Sequence, residues 1–127
     1  MADDAKALLE VAVRRFLEEV PALKPIKLVV SVELRGHGDV QHFRLALPEL
    51  AVTRELASDA RVSVSMRREF FNVMAAEGKL PDWIEAFTYG RATATGPSQI
   101  LKLIATVVDR AIERQRARVR RRRAEQP

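Results

Sequence analysis

The spacing of apolar residues changes from a helical repeat to a two-residue alternation across Pro21 and Pro25, and this change restricts the chain to folds that combine helices with a sheet. Residues 4–20 place apolar side chains three or four positions apart, which predicts an amphipathic opening helix. Residues 27–35 alternate apolar and polar side chains, which predicts a strand with one buried face. Three more strands are predicted at residues 42–47, 50–54 and 62–66. We expect these four strands to form a meander.

Helices are predicted to cover one face of this sheet. The first occupies residues 68–77, and the second is a short turn over residues 82–88 that is capped by Asp82. A fifth strand over residues 91–95 offers only alanine and threonine after its first residue. One of its faces must therefore border something bulky or an empty space. A long apolar helix is predicted to begin at Pro97.

Size and composition indicate one soluble domain. A chain of 127 residues buries about two-thirds of the surface that it exposes when unfolded. It contains no cysteine, which excludes disulfides, thiolate zinc sites and cysteine nucleophiles, and is compatible with the reducing cytoplasm where we expect the protein to work. The acidic N-terminus lacks the basic and apolar regions of a signal peptide, so we expect a protein that is not exported. No apolar run approaches the roughly 20 residues that cross a bilayer. The richness in arginine, alanine and valine is typical of bacterial proteins.

The positive charge is concentrated at one end of the chain. The net charge is +5, but residues 110–127 hold eight arginines and two glutamates, a local charge of +6 that leaves −1 for the other residues. The sequence therefore predicts a nearly neutral domain over residues 1–113 and an arginine-rich tail over residues 114–127. This distribution argues against a nucleic-acid-binding core.

No pattern in the sequence predicts a catalytic, cofactor or metal site. His37 and His42 flank a predicted hairpin turn without the third ligand that a metal ion would need. The segment from Gly90 to Gly96 lacks the lysine and hydroxyl residue that end a phosphate-binding loop. The serines lack the context of a nucleophile elbow, and the acidic residues are explained as caps and solvent-facing charges. An enzyme is thus the least favoured interpretation.

Apolar side chains are more abundant on the predicted helices than one contact face requires. Leu101, Ile104 and Val108 form one stripe of the last helix, and a second apolar stripe adjoins it. Most of the aromatic residues lie on the two shorter helices, namely Phe70, Phe71, Trp83 and Phe87. They could line a pocket, or they could simply anchor short helices in a filled core.

The tail supports more than one interpretation. Clustered arginines attract nucleic-acid phosphates by counterion release and anionic lipid headgroups by about 1 kcal/mol per basic residue. Nucleic acid is the less favoured partner because the tail has no aromatic residue to stack on bases. A solvated extension of the last helix explains the tail equally well. The residues predicted to contact an anionic surface are Arg116, Arg118, Arg120, Arg121, Arg122 and Arg123.

Three short motifs in the second half of the chain carry a family resemblance. They are Gly78-Lys79-Leu80, Phe87-x-x-Gly90, and Gly96 directly before a helix. In this order they resemble the sterol carrier protein 2 (SCP-2) lipid-binding family, over most of residues 5–112. The resemblance implies an α/β (α+β layered) fold, in which a five-stranded, mostly antiparallel sheet is covered on one face by helices around an apolar cavity.

The same resemblance implies a function without catalysis or cofactor. The cavity would bind and transfer a sterol, fatty acyl chain, acyl-CoA or isoprenoid lipid. The residues implied as its walls are Phe70, Phe71, Met74, Trp83, Ile84, Phe87, Leu101, Ile104 and Val108. The alternative is an interaction or scaffold domain with a filled core, whose tail binds nucleic acid, anionic membrane or a protein partner.

Overall fold

Four α-helices, one 3-10 helix and five strands make up the described part of the chain. The computed structural model describes residues 2–125, with side chains from residue 5 onward. The elements are α1 (Ala2–Glu19), a 3-10 helix (Pro21–Leu23), β1 (Leu28–Arg35), β2 (Val40–Leu47), β3 (Ala51–Thr53), β4 (Val62–Arg67), α2 (Arg68–Glu77), α3 (Leu80–Thr88), β5 (Ala92–Thr95) and α4 (Ser98–Glu125). This order of helices and strands confirms the order predicted from the sequence.

The strands form one open sheet in the order β3-β2-β1-β4-β5. Neighbouring strands are antiparallel except β1 and β4, which run parallel and pair Val30 with Val62 and Leu34 with Met66. The expected four-strand meander is therefore wrong for β4, which crosses over to β1 instead of following β3. In a meander, β1 would lie at the edge of the sheet. With β4 beside it, both edges of β1 are paired, and the apolar side chains that alternate along this strand are buried most effectively.

Alternation along the strands separates the two faces of the sheet. The inner side chains of β1 are all buried, and antiparallel pairing sets Phe43 opposite Val32 and Leu45 opposite Val30 on the same face. The helices pack on this inner face, as predicted. The main core joins it to Ala5, Leu9 and Ala12 of α1 and to Phe71, Met74 and Ala75 of α2.

A smaller core fixes α4 to the rest of the molecule. It joins the turn after α1 to the start of α3 and the middle of α4, through Val20, Leu23, Leu80, Val108, Ala111 and Ile112. Ile104 packs against both cores. The middle of α4 is therefore anchored at one side of the inner face, where it can wall a space above the sheet.

Two helix starts differ from the sequence prediction. Helix α3 begins at Leu80 instead of Asp82, because the Lys79 backbone N–H donates to Asp82 Oδ2 at 2.9 Å and so places Asp82 two residues inside the helix. Pro97 precedes α4, and its carbonyl oxygen accepts hydrogen bonds from the backbone N–H groups of Ile100 and Leu101 at 3.0 and 3.1 Å. It caps the helix instead of occupying its first turn.

Helix α4 extends far beyond the second core. Its 28 residues span about 42 Å at 1.5 Å per residue. Residues 114–125 continue it without a break, so the predicted boundary between domain and tail falls inside a helix, and the division itself stays a prediction. Among residues 2–125, no helix combines the length and the apolar character that crossing a membrane requires.

Residues 54–61 connect β3 to β4, and a contact on the polar outer face of the sheet fixes this crossover segment. Arg44 on β2 donates to Asp59 Oδ1 at 3.1 Å and to Oδ2 at 2.7 Å. The hydrogen bond from the Arg44 guanidinium lowers the pKa of the Asp59 carboxyl, which keeps it ionised at neutral pH. This contact ties the segment to the sheet on the side away from the helices.

Candidate functional site

A cavity of about 730 Å³ lies between the inner face of the sheet and the helices. It is open to solvent, and most of its lining is apolar. The strands contribute Leu28, Val30, Val32, Leu45, Leu47, Val62, Val64, Met66, Ala92, Thr93 and Ala94. The pattern that predicted a half-buried sheet therefore also supplies the floor of this cavity.

The edge strand β5 borders the cavity with small side chains. Ala92 and Ala94 lie on its inner face opposite Met66 and Val64 of β4, and both line the cavity. The sequence predicted that one face of this strand would border something bulky or an empty space. The second alternative is confirmed, because alanine leaves open the volume that a larger side chain would occupy.

The helices bring most of the predicted wall residues together. Seven of the nine line the cavity, namely Phe71, Trp83, Ile84, Phe87, Leu101, Ile104 and Val108. Phe71 is buried at the base of α2, whereas Phe87 is exposed at the end of α3. Their contact with a ligand stays a prediction.

Phe70 and Met74 are the two predicted wall residues that do not line the cavity. Successive residues of a helix point about 100° apart, so Phe70 cannot share the direction of Phe71. Its ring instead lies 5.8 Å from the Arg91 guanidinium carbon. Met74 is buried in the main core, on the side of α2 that packs against α1.

The first helix forms a wall that sequence reasoning missed. The cavity is also lined by Leu9, Ala12, Val13, Phe16 and Leu17 of α1 and by Leu23 and Ile26 of the segment that follows. The signal was present as a wide apolar face on α1. The sequence predicted this helix only as amphipathic, because the family motifs begin at Gly78.

The mouth of the cavity is formed by the lining residues that are exposed to solvent. They lie at the end of α3, along the edge strand β5 and on α4, and are Phe87, Thr88, Thr93, Ala94, Ala105 and Asp109. Asp109 follows Ala105 by one helical turn, so the two residues share a face of α4. A ligand entering by this route would pass between α4 and the edge of the sheet.

Polar groups are confined to few positions of the lining. Within the part of the chain that the structure describes, Asp109 is the one charged residue that lines the cavity. Thr88 donates its hydroxyl hydrogen to the Ile84 carbonyl oxygen at 2.8 Å, and Thr93 donates to the Ser65 carbonyl oxygen at 3.5 Å. The cavity therefore suits an apolar body with any polar group held at its mouth.

The residues that the sequence analysis considered for metal binding lie elsewhere. His37 Nε2 contacts Glu69 Oε1 at 2.8 Å, and both side chains are exposed. Within residues 2–125, no cluster of three or more histidine, cysteine, aspartate or glutamate side chains could hold a metal ion.

The six predicted arginine contacts lie on the far half of α4, outside the cavity lining, and all are exposed. Arg116 Nη1 contacts Glu113 Oε1 at 3.3 Å, three residues earlier on the helix. The described side chains thus present a basic helical surface, and its partner stays a prediction.

Comparison with known proteins shows similarity at the level of structure. No protein-family model and no curated protein sequence matches the chain. The sterol carrier protein domain 2 of Helicoverpa armigera superimposes with a TM-score of 0.57 at 14% identity, covering 84% of this chain and 85% of that chain. Sterol carrier protein 2 like 2 of Aedes aegypti superimposes with a TM-score of 0.54 at 17% identity, covering 81% of this chain and 98% of that chain. The palmitated form of the same protein superimposes with a TM-score of 0.54 at 15% identity, covering 76% of this chain and 94% of that chain.

These neighbours share the whole architecture and few of the residues. Their low identity means that the likeness concerns the backbone, and the high coverage means that it extends over nearly all of each neighbour. The resemblance noted in the sequence is thereby confirmed for the fold: this chain has the fold of a sterol carrier protein 2 domain.

Proposed function

We propose that this protein binds and transfers a long apolar ligand, such as a sterol, fatty acyl chain, acyl-CoA or isoprenoid lipid. The observation that carries the proposal is the open cavity of about 730 Å³ with its mostly apolar lining. Pockets of roughly 300–1,000 Å³ enclose most of the surface of a small organic ligand. A cavity of this size inside a chain of 127 residues is a large interruption of the core.

The energetics of burial support such a ligand. Each buried methylene contributes about 0.8 kcal/mol, so a dozen methylenes contribute about 10 kcal/mol before the costs of association. Those costs are about 4–15 kcal/mol. A long chain that fills the cavity is therefore bound with useful affinity, whereas a short one is not.

The structural neighbours support the same class of ligand. One of them is the palmitated sterol carrier protein 2 like 2 of Aedes aegypti. A palmitoyl chain is long, flexible and apolar over most of its length. Its presence in that neighbour makes an apolar chain the first ligand to test here.

We propose that binding occurs without catalysis. Acid–base chemistry generally uses groups held in fixed positions around the reacting atoms. The lining residues that the structure describes include one ionisable side chain, that of Asp109, and it is exposed at the mouth. A binding and transfer role therefore fits the lining better than an enzymatic one.

We further propose that the basic half of α4 touches anionic lipid surfaces. Its arginines are exposed along a helix that continues from the wall of the cavity. A carrier must collect its ligand from a membrane, so a cationic extension beside the cavity suits that step. The alternative, a scaffold domain whose tail binds nucleic acid or a protein, gives no account of the open cavity.

Blocking the mouth tests the proposed function. Ala105 is small, exposed and part of the lining, so Ala105→Trp places an indole in the mouth without enlarging a core residue. Thr106→Trp is the matched control, because Thr106 is the next residue of α4, is exposed and does not line the cavity. Both variants should fold, as judged by circular dichroism.

The readouts are mass spectrometry of an organic extract of the purified protein and uptake of the neutral dye Nile red. We expect a co-purified lipid and dye uptake in the wild type and in Thr106→Trp, and at least about ten-fold less of each in Ala105→Trp. Wild-type protein that carries no lipid and takes up no dye would refute the proposal.

A further inference from the structure

The mouth of the cavity carries a negative charge. Among the described residues that line the cavity, Asp109 is the only charged one, and it makes no ion pair with any residue that the structure describes. Its position one turn after Ala105 sets it on the wall that a ligand would pass. The polar end of a ligand held at this mouth would therefore lie near a carboxylate.

Two other polar side chains of the lining are close to the space for a ligand, those of Thr88 and Trp83. The Thr88 hydroxyl hydrogen is already donated to the Ile84 carbonyl oxygen, so this hydroxyl keeps only its accepting capacity. Thr93 alternates with Ala92 and Ala94 on β5, so its hydroxyl lies on the outer face, where it contacts the Ser65 carbonyl oxygen. The Trp83 indole N–H is an uncharged donor, and the described lining residues include no lysine or arginine that could neutralise an anionic group.

We infer that the cavity selects ligands whose polar end donates a hydrogen bond and carries no negative charge, such as the hydroxyl of a long-chain alcohol or a sterol. This inference rests on the proposed function and narrows its class of ligand. A hydroxyl can donate a charge-assisted hydrogen bond to the Asp109 carboxylate. A fatty acid carboxylate or a phosphate would instead meet a like charge at the mouth, at a cost of about 1 kcal/mol for two charges about 4 Å apart in water.

Three ligands that share one chain length separate the candidate end groups: dodecanol, laurate and dodecylamine. Each is titrated against protein loaded with Nile red at a pH of about 8, where laurate is ionised and dodecylamine is protonated. Asp109→Asn removes the charge and keeps the shape of the side chain. Glu113→Gln is the matched control, since it removes one negative charge from the same helix at a position outside the lining.

We expect the wild type to bind dodecanol about five-fold more tightly than laurate, because a like charge about 4 Å away in water costs about 1 kcal/mol. Asp109→Asn should raise laurate affinity about five-fold and change dodecanol affinity by no more than about two-fold, whereas Glu113→Gln should leave their ratio within about two-fold. Dodecylamine should bind at least as tightly as dodecanol and should weaken in Asp109→Asn, since its ammonium donates to the same carboxylate.

Two results would overturn the inference. One is a wild type that binds laurate as tightly as dodecanol, and the other is an Asp109→Asn variant that leaves their ratio unchanged. Either result would still uphold the proposed function, because apolar chains would be bound. A wild type from which none of the three ligands displaces the dye would overturn the proposed function together with this inference.

Discussion

The two halves of α4 form one continuous helix but differ in burial and charge. Residues 98–112 bury Val108, Ala111 and Ile112 in the second core and line the cavity with their apolar stripe. Residues 113–125 bury no side chain and carry most of the arginines of the helix. Packing holds the first half helical, whereas the second half depends on the high helix propensity of arginine, alanine, glutamate and glutamine.

This difference predicts that mutations in the two halves have separable effects. A change in the first half alters the core or the cavity, so it should appear in the free energy of unfolding or in ligand uptake. A change in the second half alters an exposed charged surface, so it should appear in binding to a charged partner. The following predictions test whether the halves are as independent as their burial suggests.

The largest effect is expected from removing the charge of the second half. Replacing Arg116, Arg118 and residues 120–123 by glutamine keeps a good helix former at each position and removes six positive charges. At about 1 kcal/mol per basic residue, binding to vesicles of phosphatidylcholine with anionic phosphatidylglycerol should fall by at least about a hundred-fold. Co-sedimentation at low and high salt measures this fall.

Replacement of the same six arginines by lysine is the control, since it preserves the charge and should retain most of the vesicle binding. Nile red uptake should be unchanged in both variants, because none of the six residues lines the cavity. A glutamine variant that still binds anionic vesicles would refute membrane contact by the tail. A salt-sensitive shift of nucleic acid by a wild type that ignores vesicles would favour the alternative partner.

The next largest effect is expected in the first half. Ile112→Ala removes a buried side chain from the second core and should lower the free energy of unfolding by about 2–4 kcal/mol. Val119→Ala removes an apolar side chain that is 49% exposed, in the second half of the same helix, and should change it by no more than about 0.5 kcal/mol. Urea denaturation followed by circular dichroism compares the two variants. Similar losses would show that the second half packs as tightly as the first.

The sequence predicted the elements of this fold better than their pairing. Alternation in residues 27–35 was enough to identify β1, because one buried face forces a period of two. The same alternation does not specify which strand lies next to it. The parallel contact between Val30 and Val62 therefore could not be predicted, and a simple meander was expected.

The candidate site was predicted from the family resemblance more than from the residues themselves. Apolar side chains such as Leu101 and Ile104 look the same in sequence whether they face another side chain or an empty space. Only β5, with its alanines, indicated a space directly. Asp109 was missed because an acidic residue in a long amphipathic helix is normally a solvent-facing charge.

The smallest effect is expected from an ion pair at the start of the second half. Arg116 and Glu113 form an exposed ion pair at 3.3 Å, three residues apart on the helix. Such pairs contribute about 0.2–0.5 kcal/mol to the free energy of unfolding. Arg116→Ala should therefore change this free energy by less than about 0.5 kcal/mol. Arg118→Ala is the control, since Arg118 has no described ion pair. Urea denaturation at low and high salt measures both variants.

A large loss of unfolding free energy in Arg116→Ala would contradict the description of the second half as an exposed helix. An exposed pair cannot supply more than a few tenths of a kcal/mol, because water and salt screen it and both side chains lose conformational freedom when they pair. A loss of 2 kcal/mol or more, on the order of that expected for a buried core residue, would require Arg116 to pack against another molecule. Repeating the measurement across a range of protein concentrations would then identify that molecule as a second copy of this chain, since stability gained by self-association rises with concentration.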